Sequence, residues 1–141
     1  MTWLIRHQLT VRFRDCDPLG HVNNAVYLTY LEQARFHLWR AQFGFVAKPA
    51  SEAGRRGLGF ILARAEVDFK AQARYGDVLE VRLGLESVRR SSFTYAYEIV
   101  NVATEQVVAR AQTVQVRFDY DAQAPVAVDD GLRETLGRGI D

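Results

Sequence analysis

The chain has 141 residues, 48% of them hydrophobic and 25% charged, with a formal net charge of +1. That length suits one domain with one core, the balance is not that of a disordered chain, and the charge gives no global reason to expect nucleic acid or an anionic membrane as partner. Cys16 is the sole cysteine, so no intrachain disulfide framework exists and a reducing cytoplasm is the natural compartment.

The first ten residues include Arg6, His7 and Gln8 where a signal peptide needs an apolar run, and no stretch approaches the roughly 20 apolar residues of a membrane span. No repeat or low-complexity segment marks a boundary. The expectation is a single domain over residues 1–141, cytoplasmic by elimination.

In chain order, Leu9, Val11 and Phe13 alternate with Gln8, Thr10, Arg12 and Arg14, which predicts a half-buried strand. Asp15-Cys16-Asp17-Pro18-Leu19-Gly20 then reads as a turn. Asn23 and Asn24 are both cap candidates for a helix over residues 25–43, a run without Gly or Pro that would be about 30 Å long. On that helix Tyr27, Tyr30, Leu31, Ala34, Leu38 and Ala41 form one apolar stripe, and Leu28, Phe36, Trp39 and Phe43 form a second with Glu32 in its middle. A helix apolar on two sides is covered on both, by its own sheet or by a partner subunit.

Gly44 is placed to end the helix, and residues 44–59 form a connection long enough for a lid or binding loop. From Phe60 the period becomes two. Ile61, Ala63, Ala65, Val67 and Phe69 alternate with charged residues; Leu79, Val81, Leu83 and Leu85 do likewise; Phe93, Tyr95, Tyr97 and Ile99 mark a third strand and residues 108–118 a fourth. Short separators between them suit antiparallel hairpins. Strand, helix and four strands predict an α+β fold, an antiparallel sheet of about five strands with one long helix, and a tail over 123–141 left as coil or a short helix.

Chemistry concentrates between the first strand and the helix, where two carboxylates, His21, Asn23 and Asn24 fall within ten residues. The free N–H groups and partial positive charge of a helix start suit a developing oxyanion, and a carboxylate beside such donors is a hydrolytic arrangement. Cys16 has anionic neighbours that raise a thiol pKa, which makes it a poor nucleophile. His7, His21 and His37 form no recognisable metal spacing with Cys16 or the aspartates, and Gly57-Leu58-Gly59 is too short to cradle phosphate, so neither metal nor cofactor is expected.

The Asp-Cys-Asp-Pro-x-Gly order, a helix carrying Tyr27-x-x-Tyr30-Leu31-Glu32, the Tyr75-Gly76-Asp77 turn and Arg89-Arg90-Ser91-Ser92-Phe93 together resemble the 4-hydroxybenzoyl-CoA thioesterase group of the hotdog superfamily. Gly20-His21-Val22-Asn23-Asn24 looks more like the related acyl-carrier-protein thioesterases. The resemblance covers residues 9–118. It implies a hotdog fold, with the sheet wrapped round the helix, and hydrolysis of an acyl-CoA or acyl-carrier-protein thioester.

Residue by residue, the resemblance makes Asp17 the nucleophile or the general base, and the Asn24 N–H the donor to the thioester carbonyl. Arg89, Arg90 and Ser91 match positions that hold the CoA phosphates and pantetheine arm, although arginines at a hairpin are also ordinary solubilising charge. His21 either takes part in catalysis or orients the turn. Val22, Asn23, Tyr27, Glu32 and Phe60 are the candidates for substrate contact, and Glu32 is either a buried carboxylate facing the site across a subunit contact or a solvated residue at the edge of its stripe. The group also implies a homodimer, commonly a tetramer of two dimers. A hydratase acting on enoyl thioesters and a non-catalytic acyl-CoA sensor are the competing readings.

Overall fold

The computed structural model describes residues 1–44 and 58–140, and of Leu58 the backbone alone, so most of the expected loop over 44–59 lies outside the described residues. Strand β1 (Ile5–Thr10) leads through a short 3-10 turn (Phe13–Asp15) to helix α1 (Val26–Phe43). Strands β2 (Leu58–Phe69), β3 (Val78–Val88), β4 (Ser92–Asn101) and β5 (Val107–Asp119) follow, then a two-residue strand β6 (Ala124–Pro125) and helix α2 (Asp130–Leu136). The sheet is antiparallel, in the order β1-β3-β4-β5-β2 with β6 paired to β5, one strand more than expected.

The helix lies against one face of this sheet. Tyr27, Tyr30, Leu31, Ala34 and Leu38 are buried as the first stripe predicts, and they meet the inward residues Leu79, Val81 and Leu83 of β3 and Phe93, Tyr95, Tyr97 and Ile99 of β4. Ala41 is exposed instead: around the last turn the helix is held by the C-terminal segment, where the Gln42 amide donates to the carbonyls of Leu136 and Arg138. A buried hydroxyl left without a partner costs about 1–3 kcal/mol, and the two core phenols of β4 avoid it. Trp39 Nε1–H donates to the Tyr95 hydroxyl at 2.8 Å, and the Tyr97 hydroxyl lies 2.6 Å from Thr113 Oγ1.

Two expectations need correction. Phe13 is 77% exposed and outside β1, because Asp15 accepts hydrogen bonds from the backbone N–H and the guanidinium of Arg12 and closes a turn in place of a sheet ladder. In β2 the register shifts between Leu62 and Arg64, so Phe60 and Leu62 share the helix-facing side with Ala65, Val67 and Phe69, and the single parity that placed Ile61 and Ala63 inward breaks at this bulge. The tail, expected as coil or a short helix, does form a short helix: Asp129 Oδ1 accepts from the Leu132 N–H to cap α2, which buries Leu136.

Strand β2 forms one edge of the sheet. It is twelve residues long, and its Leu62 and Phe69 are 45% and 46% exposed. An unpaired edge of that length is a template for another strand.

Candidate active site

The segment between the 3-10 turn and α1 is built around Asp15, not Asp17. Asp15 is buried; its Oδ2 accepts from the Arg12 N–H and, at 2.8 Å, from the Tyr30 hydroxyl, and its Oδ1 from the Arg12 guanidinium. Burial pushes its carboxyl up, but the bonds from Arg12 and Tyr30 outweigh that and hold it below the ordinary carboxylate range. The same bond, added to burial, pushes the Tyr30 phenol well up. Asp15 also fixes the next segment through its carbonyl, which accepts from the Asn23 N–H.

On that base the chain makes a tight loop over residues 17–21. Cys16 and Val22 pair as an antiparallel bridge, Asp17 N–H donates to the His21 carbonyl, and Gly20 N–H donates to the Asp17 carbonyl at φ +88°. The Leu19 N–H donates to Asp17 Oδ1, which holds the half-buried carboxylate in one orientation. Val22 is buried, and its N–H donates to the Ala73 carbonyl, tying the loop to the β2–β3 connection.

At the helix start the N–H groups of Val26 and Tyr27 donate to the carbonyls of Asn23 and Asn24. The N-cap position is Ala25, with no side-chain cap and no acidic residue in the first turn. Asn23 and Asn24 are therefore not caps in the expected sense: the Asn23 side chain accepts from the Ala25 N–H, one turn early, and the Asn24 N–H makes no hydrogen bond among the described residues. The partial positive charge of the helix is thus left unneutralised beside a free donor.

A cleft of about 260 Å³ opens here, lined by His21, Val22, Asn24 and Tyr27 and, from the end of β2, by Phe69 and Lys70. His21 Nδ1 lies 3.4 Å from the Val22 carbonyl, a long contact that orients the ring weakly. Tyr27 packs edge to face on Phe69 at 5.3 Å, and burial pushes its phenol up. Sequence reasoning missed Phe69 and Lys70 as site residues; the period-two pattern of β2 already put Phe69 on the inward face. Asp17 is beside this cleft in sequence but not among its lining residues. Among the described residues no three His, Cys, Asp or Glu side chains group as a metal site.

The remaining expected residues do not join this cluster within one chain. Glu32 is exposed in the middle of α1. Phe60 packs on Trp39 and Phe93 near the far end of β2 from Phe69. Arg89 and Arg90 are exposed and Ser91 half-buried in the β3–β4 hairpin, which the backbone fixes through Arg90 O to Val128 N and Ser91 O to Arg117 N. Val78 at the start of β3 pairs with Thr10 near the Asp17 loop, so the hairpin lies a full strand length away, about 33 Å at 3.3 Å per residue.

An antiparallel sheet wrapped on one long helix is the architecture of hotdog proteins. A model of the thioesterase-like superfamily matches residues 11–136, and the chain belongs to that family. It is similar to a putative esterase of Aquifex aeolicus (strain VF5), 35% identical over 103 residues, 73% of this chain and 76% of the relative. It is 29% identical over 129 residues to the long-chain acyl-CoA thioesterase FadM of Escherichia coli (strain K12), covering 92% of this chain and 94% of the relative. Among solved structures, a thioesterase from Thermus thermophilus complexed with coenzyme A and Zn is 30% identical, with a TM-score of 0.77 over 95% of this chain and 92% of the other.

Proposed function

We propose that this acyl-CoA thioesterase cleaves its substrate with Asp17, polarises the thioester carbonyl with the Asn24 N–H, and completes each site with a second copy of the chain. The observation that carries the reading is the start of α1: an unbonded Asn24 N–H, no side-chain cap and no acid in the first turn, directly after a loop that presents an oriented carboxylate. In a low-dielectric cleft such a donor stabilises the oxyanion more than water would.

Two routes fit this geometry. Asp17 attacks the carbonyl carbon, the C–S bond breaks, CoA leaves as thiolate and takes up a proton, and water hydrolyses the mixed anhydride. Alternatively Asp17 removes a proton from an attacking water, the tetrahedral oxyanion rests on the Asn24 N–H, and collapse expels CoA, which takes that proton. His21 at the cleft edge is suited to orienting water or the loop. Tyr27, Phe69 and Val22 offer an apolar wall for an aliphatic or aromatic acyl group.

The second copy is required because the hairpin arginines and Phe60 stand at the opposite end of the sheet from Asp17. Antiparallel pairing of two β2 edges about a two-fold axis brings opposite ends together, so that Arg89, Arg90 and Ser91 of one chain reach CoA bound over the other chain's helix start. A dimer, or a tetramer of two dimers, is thus part of the reading, as is a cytoplasmic setting. Among the described residues no helix is long and apolar enough to cross a membrane.

Release of CoA thiol from short, long and aromatic acyl-CoAs, and of carrier protein from the matching acyl-carrier-protein esters, tests the proposal. Turnover of at least one CoA ester is expected. Tight binding without thiol release would instead indicate a sensor, and hydration of an enoyl-CoA without thiol release a hydratase.

A further inference from the structure

Two charged side chains are buried among the described residues, Asp15 and Arg35. Asp15 has Arg12 as its counter-ion, whereas Arg35, 5% exposed, forms no ion pair among the described residues and makes one hydrogen bond with them, from Nη1 to the neutral Tyr97 hydroxyl at 3.2 Å. A guanidinium so nearly covered with no anion beside it is unfavourably placed, and its further N–H donors, which nothing within the described chain accepts, are not fully closed off and so stay open to an incoming acceptor.

One turn earlier on the same helix stands the complementary anomaly. Glu32 is exposed and without an ion pair among the described residues, yet it sits in the second apolar stripe, whose Leu28 and Phe43 are 45% and 39% exposed. Trp39 and Phe43 of the stripe pack on Phe60 of β2, an edge strand without a second neighbour among the described residues, with exposed Leu62 and Phe69. Although three residues apart, Glu32 and Arg35 do not pair within the helix: the carboxylate is out in solvent and the guanidinium is turned in against β4.

A two-fold axis across α1 resolves both anomalies at once, because it sets position 32 of either copy opposite position 35 of the other. Resting on the two-copy reading above, we propose that Glu32 of each copy enters the crevice between α1 and the sheet of the second copy and pairs with its Arg35, so that two reciprocal ion pairs latch the dimer. The surrounding apolar stripe excludes water from the pair, and the latch fixes the register in which the β2 edges meet.

Charge reversal tests this in trans. Glu32→Arg alters an exposed residue, so the protomer still folds, and its homodimer carries two Arg–Arg contacts; Arg35→Glu gives two Glu–Glu contacts. The heterodimer of the two variants has both contacts restored to opposite charge, whereas pairing within one helix would give it no advantage. Sedimentation is expected to show the dimer dissociation constant of Glu32→Arg raised on the order of tenfold or more over wild type. Native mass spectrometry of the mixed variants is expected to show heterodimer well above the statistical half. If Arg35→Glu fails to fold by circular dichroism, Arg35→Gln replaces it, since its heterodimer with Glu32→Arg still keeps one native pair. Wild type sedimenting as a monomer overturns the two-copy reading together with the latch. A wild-type dimer whose Glu32→Arg variant associates equally well, or a statistical mixture, overturns the latch alone.

Discussion

The Tyr30 hydroxyl of α1 donates a 2.8 Å hydrogen bond to Asp15 Oδ2, and this joins the helix to the loop that carries Asp17. The pair is buried, and its partner Arg12 is held at the surface by the same carboxylate. The position of Asp17 relative to the helix start is therefore set by a residue two places before it.

Tyr30→Phe removes the phenol's bond and leaves the buried carboxylate with Arg12 alone. Hydrogen bonds to charged groups contribute about 1.5–3 kcal/mol, so a loss of that order is expected in urea unfolding. A wild-type denaturation midpoint in Tyr30→Phe would mean that the bond does not anchor the loop.

Asp15 also predicts the acid limb of stability. Its folded pKa is depressed, so its contribution is fully present above the unfolded value of about 3.9 and is lost as pH falls through the folded value. Asp15→Asn should be less stable than wild type at neutral pH, with the difference shrinking as pH drops below about 4. Thermal melts across pH 2–7 (roughly the carboxylate range and above) measure this, and a constant difference would contradict it.

Gly20 is held at φ +88°, and a Cβ there would meet nothing within 4 Å. Gly20→Ala should therefore cost only backbone strain, about 1–2 kcal/mol, which is felt in the turn presenting Asp17. Turnover should fall more than stability. Equal activity with lowered stability would show that the turn tolerates the change without moving the carboxylate.

A site shared between copies predicts complementation. Asp17→Asn and the double variant Arg89→Ala, Arg90→Ala are each expected to be slow at low acyl-CoA concentration. When subunits are exchanged in equimolar mixture, half the dimers hold one intact site of two, so about a quarter of wild-type activity should return. No recovery after proven subunit exchange would place both groups in one chain's site.

Much of the fold is legible in the sequence. The helix over 26–43 and the inward residues of β3 and β4 follow from periodicity, because both elements have one face against the core. Phe13 and Ile61 misled for local reasons: Asp15 draws the backbone of Arg12 into a turn, and a bulge after Leu62 inverts the parity of β2. Three residues of the motif, His21, Val22 and Asn24, line one cleft, with Asp17 near them in the chain, but composition could not tell the buried, anchoring Asp15 from the half-buried Asp17; that distinction lies in burial and in Tyr30, fifteen residues on from Asp15. Nor could it show that Phe60 and the hairpin arginines stand at the other end of the sheet, which depends on strand order and direction.

The most direct measurement is hydrolysis and binding by Asp17→Asn side by side, with a CoA ester that wild type turns over. The carboxamide keeps the shape and the bond from Leu19 N–H but loses the charge, so acyl-CoA should bind with near wild-type affinity while kcat drops at least about a hundredfold, the scale of general-base assistance. Wild-type kcat in that variant would remove Asp17 from the chemistry and with it the proposed mechanism.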